Sequence, residues 1–181
     1  ETRAEKLTII ALEETLEKEM LLQDAQSEER VIKLKGTADR IDRTGNQIRI
    51  IDYKTGKVEQ RDIKIKHPGD LFDQEKPLKE KAFQLLFYML LARDNDKIKQ
   101  TQPGLKAGII SFRSLNQGFI PLLIEGTDIE TALHDFEENL KEMLLELFNT
   151  EIPFKQTLKT ENCSICPFKP ICHKGEENKA W

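Results

Sequence analysis

The stretch VIKLKGTADRIDRTGNQIRIIDYK, residues 31–54, decides how this chain folds. Two β-rich runs, VIKLKGTADRID and QIRIIDYK, flank Thr44-Gly45-Asn46, a pattern that predicts a β-hairpin. With Gly45 and Asn46 as the central turn residues, Thr44 pairs with Gln47. Each step back along the first strand is then matched by a step forward along the second. Asp39 comes to lie directly across from Asp52, and Thr37 across from Lys54. Side chains alternate along a strand, so Asp39, Asp52 and Lys54 share one face with Ile41, Ile48 and Ile50. A register slipped by two residues keeps that shared face, whereas a slip by one destroys it.

Two carboxylates opposite one another, with Cβ atoms roughly 5 Å apart, repel. Three isoleucines beside them raise the cost, because desolvation disfavours both charges. A divalent cation offsets this, since Mg²⁺ takes hard oxygen ligands from one or two carboxylates and keeps waters for substrate. The Lys54 ammonium adds positive charge where an attacking hydroxide and a phosphate would sit. The spacing alone equally allows a surface hairpin in which Lys54 bridges two exposed aspartates, an arrangement worth roughly 0–1 kcal/mol.

Outward from the hairpin, residues 7–22 read two ways. Ile9, Leu12 and Leu16 suit a helix, while Leu16, Met20 and Leu22 alternate as a strand would. Residues 23–29 are polar and turn-like. Residues 55–77 are charged and aperiodic around His67-Pro68-Gly69, which predicts a long loop. Its Lys57, Arg61, Lys64 and Lys66 form a basic cluster whose plainest reading is a solvated loop. The segment from Leu78 to Arg93 is Leu-rich without Gly or Pro and predicts a helix. After Pro103-Gly104, residues 106–113 and 119–124 predict strands joined around Asn116-Gln117-Gly118. Thr127 or Asp128 caps a second amphipathic helix to about Asn149, with Ile129, Leu133, Phe136, Leu140 and Leu144 on one face. Strands, helix, strands, helix predict an α/β domain with a mixed central β-sheet flanked by helices.

The 181 residues suffice for one domain with a core, and 38% apolar against 33% charged residues excludes a disordered or fibrous chain. No apolar run approaches the roughly 20 residues of a membrane span, and no secretion signal is visible. The first residue is Glu1 rather than a methionine, which predicts a fragment of something longer. Net charge is −4, which argues mildly against nucleic acid, although local clusters override a whole-chain sum. Three cysteines confined to positions 163–172 are no disulfide framework and predict a reducing, cytoplasmic compartment.

The run Gly36-Thr-Ala-Asp39-Arg40-Ile41-Asp42, followed by Ile51-Asp52-Tyr53-Lys54-Thr55-Gly56, resembles signatures of the PD-(D/E)XK nuclease superfamily, and most of all the RecB/AddB-type nuclease domain of bacterial helicase–nucleases. The resemblance covers roughly Leu7 to Cys172 and implies a restriction-endonuclease-like core over residues 1–160, lacking the family's N-terminal helix region. Residues 161–181 form a C-terminal cysteine segment of the same domain. It implies that Asp39, Asp52 and the backbone carbonyl of Tyr53 bind the metal, that Lys54 activates water and stabilises the transition state, and that residues 7–22 are a strand pair rather than a helix.

Gln84 and Tyr88 stand one helical turn apart. Taken alone they read as polar edges of a packed face. The Q-x-x-x-Y pattern resembles the family's helix after the lysine strand, which implies positioning roles for both. Cys163, Cys166 and Cys172 form C-x₂-C-x₅-C. They read either as free buried thiols or as a zinc knuckle closed by His173, since an iron–sulfur cluster normally needs four thiolates. The resemblance implies a [4Fe–4S] cluster, with a fourth upstream cysteine that this chain lacks; the family's upstream histidine ligand is lacking too. The expectation is a Mg²⁺- or Mn²⁺-dependent deoxyribonuclease, exonucleolytic, acting on DNA beside a helicase region or within a larger complex, and not at a membrane. Two rivals stand beside it: a non-catalytic DNA- or partner-binding module with an incomplete site, and a CRISPR-associated nuclease of the same superfamily.

Overall fold

Period-two burial runs through the first half of the chain. In the strand β1 (Leu7–Gln23), Leu16, Met20 and Leu22 are buried while their neighbours face outward. The computed structural model describes residues 6–23, 28–95, 98, 104–153, 155, 163 and 166–172. These fall into two compact units, residues 1–147 and residues 148–181. The expected strand pair at 7–22 is instead one continuous strand. No Gly, Pro or Asn interrupts it, so the ladder absorbs its irregularity by slipping between Ile9 and Ala11, with Glu13 at φ 49°.

The strand β2 (Glu29–Thr44) pairs antiparallel with β1 on one edge and with β3 (Gln47–Lys54) on the other. The β2–β3 register is the expected one, with Thr44 opposite Gln47, Ile41 opposite Ile50 and Arg40 opposite Ile51. Gly45 carries the turn at φ 56°, a conformation that costs glycine little. After β3 comes α1 (Glu80–Arg93), which crosses over to β5 (Gly104–Ser111), parallel to β3. The helix starts two residues later than expected, leaving Leu78 exposed.

Residues 55–77 are more ordered than the expected loop. They hold two single-turn 3₁₀ segments, at Gln60–Asp62 and Pro68–Leu71, and a short strand β4 (Lys64–Ile65). The expected strand at 119–124 is likewise two: β6 (Phe119–Pro121) beside β5, and β7 (Leu123–Ile124) beside β4. Pro121 has no N–H to extend a ladder, and past it the chain changes sheets. Leu122 still donates to Ala107 O (2.9 Å), whereas Leu123 donates to Ile63 O (3.2 Å).

The main sheet therefore runs β1-β2-β3-β5-β6, mixed and five-stranded. The helix α1 packs on β1, β2, β3 and β5. A second helix, α2 (Ile129–Phe148), joins α1 through Phe136, whose ring lies 5.1 Å from Phe83. Asp128 is its cap, accepting from Thr131 N (2.9 Å), while the Thr127 hydroxyl does not bond into the first turn. The core formed on this face contains Ile41, Ile48, Ile50, Leu85, Met89 and Phe136, all essentially inaccessible. This is the α/β, restriction-endonuclease-like architecture expected from the sequence.

Candidate active site

The β2–β3 ladder stops at Arg40 and Ile51, one residue short of the two aspartates. There the Asp39 side chain continues the pairing that the backbone gives up. Its Oδ2 accepts from the Tyr53 N–H at 2.7 Å, which fixes the carboxylate against β3. Asp52, the next inward-facing residue after Ile50, is only 4% exposed. Lys54 follows on the same face with its Nζ 2.8 Å from Asp52 Oδ2. The aspartates and the lysine thus converge at the C-terminal end of β3, on the side covered by α1.

The helix completes the wall. Lys54 Nζ donates to Gln84 Oε1 (2.9 Å), and Gln84 Nε2 donates to the Tyr88 hydroxyl (2.9 Å). Tyr88 comes this close to the sheet because residue 36 is glycine. A Cβ there would stand 3.0 Å from Tyr88 Cε1 and 3.1 Å from Leu91 Cδ1, inside ordinary contact distance. All five predicted residues, Asp39, Asp52, Lys54, Gln84 and Tyr88, therefore share one locality, with Tyr53 contributing its backbone.

Burial pushes the Asp52 carboxyl above its usual range; Lys54 counteracts this, and the charge of Asp39 adds to it. Burial also raises the Tyr88 hydroxyl, helped by the charges of Asp52 and Asp39, so it stays a neutral phenol at physiological pH. Asp52 Oδ2 is buried, and its contact with Lys54 lacks the alignment of a hydrogen bond, so the oxygen has no oriented donor. Two carboxylates against one ammonium leave an excess of negative charge, and a hard oxygen donor set with one orphaned buried oxygen fits a divalent cation.

The opposite face of the same strands holds residues to which the motif reading assigned no role. Asp42, fully buried, receives both Nε (2.7 Å) and Nη2 (2.9 Å) of Arg49 and lies 2.6 Å from Nη2 of Arg40. Arg40 Nη1 donates in turn to the Tyr53 hydroxyl (3.2 Å), so this cluster holds the residue whose N–H orients Asp39. A signal was present, because the hairpin register sets Asp42 directly opposite Arg49.

The cysteines belong to the second unit. Cys163 is buried, Cys166 and Cys172 are partly exposed, and none forms a disulfide. Cys172 ends the short helix α3 (Lys169–Cys172). Among the described residues no three His, Cys, Asp or Glu side chains form a group that could hold a metal ion. His173 lies outside the described residues.

The sequence profile of the PD-(D/E)XK nuclease superfamily matches residues 1–173. The chain belongs to that superfamily, whose members are nucleases. No curated protein and no solved structure matches it. No described helix is long and apolar enough to cross a membrane.

Proposed function

We propose that this chain is a deoxyribonuclease dependent on Mg²⁺ or Mn²⁺, degrading DNA exonucleolytically as the RecB/AddB-type nuclease domain of a cytoplasmic recombinational-repair helicase–nuclease. The observation that carries the reading is the meeting of Asp39, Asp52 and Lys54 in one partly desolvated locality. Asp39, Asp52 and the Tyr53 carbonyl would hold the metal. When bound, such an ion lowers the pKa of water and neutralises developing phosphate charge. Lys54, tethered between Asp52 and Gln84, presents its ammonium to the attacking oxygen and the scissile phosphate. Gln84 fixes the height of that ammonium, and Tyr88 fixes Gln84. The [4Fe–4S] assignment of Cys163, Cys166 and Cys172 is part of the same proposal. Four thiolates are normally required, and the chain contains three cysteines, so iron content measured on this chain should fall short of a full cluster.

The test is a titration of Mg²⁺ and Mn²⁺ against end-labelled linear and closed circular DNA. Linear DNA should be degraded and circles spared. Asp52→Asn should remove cleavage, and Lys54→Ala should slow it by about 10²–10³-fold. Absence of cleavage with either metal, alongside retained DNA binding, would instead favour the non-catalytic module. Two side-chain carboxylates form a lean donor set, which is the feature that keeps this rival in view.

A further inference from the structure

Between the segment after β3 and the approach to α1 lies a cleft of about 310 Å³. Its lining carries Arg61, Lys64, Lys66, Lys76 and Lys79 against Asp70 and Glu125. Five cations face two anions here, on a chain whose net charge is −4. Both acids are already engaged. Glu125 pairs with Lys64 (2.5 Å) and Asp70 with Lys76, and those ammonium partners hold both carboxyls below their usual range. The excess within the lining falls to the other three. Lys79 donates to the backbone carbonyls of Arg61 and Lys64, bracing the cleft between the loop and α1. Arg61, whose side chain is 82% exposed, and Lys66 stand at the rim. Arg61 meets Glu59 (2.8 Å), a carboxylate it shares with Lys57, so that acid offsets one of two cations. Ile65, Leu71 and Pro77 add apolar lining. A lining that mixes cationic and apolar side chains suits a sugar–phosphate chain better than a compact anion.

The position matters as much as the charge. Lys79 immediately precedes α1, and Gln84, which holds Lys54, is the fifth residue after it. Five residues span about 7.5 Å along the helix axis, which sets the cleft and the site beside successive turns of the same helix. On a chain of net charge −4, a local positive cleft favours one approach for the strand.

We propose that this cleft grips the nucleic-acid backbone on its approach to the bond that is cut, an inference that rests on the nuclease reading of the Asp39–Asp52–Lys54 site. The experiment measures binding of a fluorescent single-stranded oligonucleotide across a salt series. An Asp52→Asn background prevents cleavage. Arg61→Gln with Lys66→Gln removes two rim charges and leaves the bracing Lys79 intact. Binding should weaken, and the slope of log affinity against log salt should fall by about 0.7 for each phosphate no longer neutralised, about 1.4 for the pair. Lys33→Gln with Lys35→Gln, exposed on β2, should leave the slope unchanged. An unchanged slope in a folded Arg61/Lys66 variant overturns the inference, even where wild-type protein cleaves DNA. A reduced slope in a protein that never cleaves leaves the backbone grip standing and removes the nuclease reading instead. In the cleaving protein the same pair should raise KM while kcat holds; a loss of kcat alone counts against the cleft.

Discussion

Asp42 and Asp52 lie on neighbouring strands and are both buried, yet they are treated in opposite ways. On the outer face of the sheet, Asp42 has both oxygens held by one guanidinium and a second arginine beside it. On the inner face, Asp52 has a single ammonium neighbour, an oxygen without an oriented donor, and another carboxylate close by. The first arrangement gives both carboxylate oxygens a guanidinium partner and holds Tyr53 in place through Arg40. The second leaves charge uncompensated, which costs stability and, under the proposed function, gives the site its affinity for a cation. A buried acid with full partners belongs to the framework, and one with partners withheld is the candidate for a binding group.

The sharpest way to break this contrast is to remove each acid. Asp42→Ala would strand two arginines beside a buried position and should destabilise the fold by about 3–5 kcal/mol, read as a lowered denaturant midpoint. Asp52→Asn should instead leave the metal-free protein as stable or more so, because it removes a charge that burial disfavours. Equal losses from the two substitutions would erase the distinction. A smaller effect sharpens the inner face. Gln84→Ala should lower cleavage about 10–100-fold, as outer partners of a metal site do, with little change in melting temperature. The smallest effect is on pH. Burial raises the Asp52 carboxyl, so the folded metal-free state binds its proton more tightly than the unfolded state does. Its contribution to metal-free stability should therefore improve as pH falls through the folded value. Cation binding should show the reverse trend, strengthening as pH rises and Asp52 ionises. Thermal melts across pH, with and without Mg²⁺, read both trends.

Much of the inner face was legible because a hairpin with a two-residue turn has little freedom. Gly45-Asn46 set the register, and the register set which side chains share a side. The outer cluster was equally encoded, because the same register sets Asp42 opposite Arg49. Gly36 could not be understood from the chain alone, since its meaning is the approach of Tyr88 from a helix distant in sequence. The changeover at Leu122 was hidden for a similar reason, since FIPLLI reads as one apolar run until two different sheets compete for it.

The sequence by itself determined the hairpin, its pairing and the common face of Asp39, Asp52 and Lys54, because turn geometry and side-chain alternation are local and leave few options. Tertiary structure alone decided which of the two buried aspartates would be satisfied, how Gln84 and Tyr88 reach Lys54, and that scattered lysines around residues 61–79 line one cleft. Those outcomes depend on segments far apart in the chain meeting in a low-dielectric interior or across a crevice, where partners rather than residue types set the balance of charge.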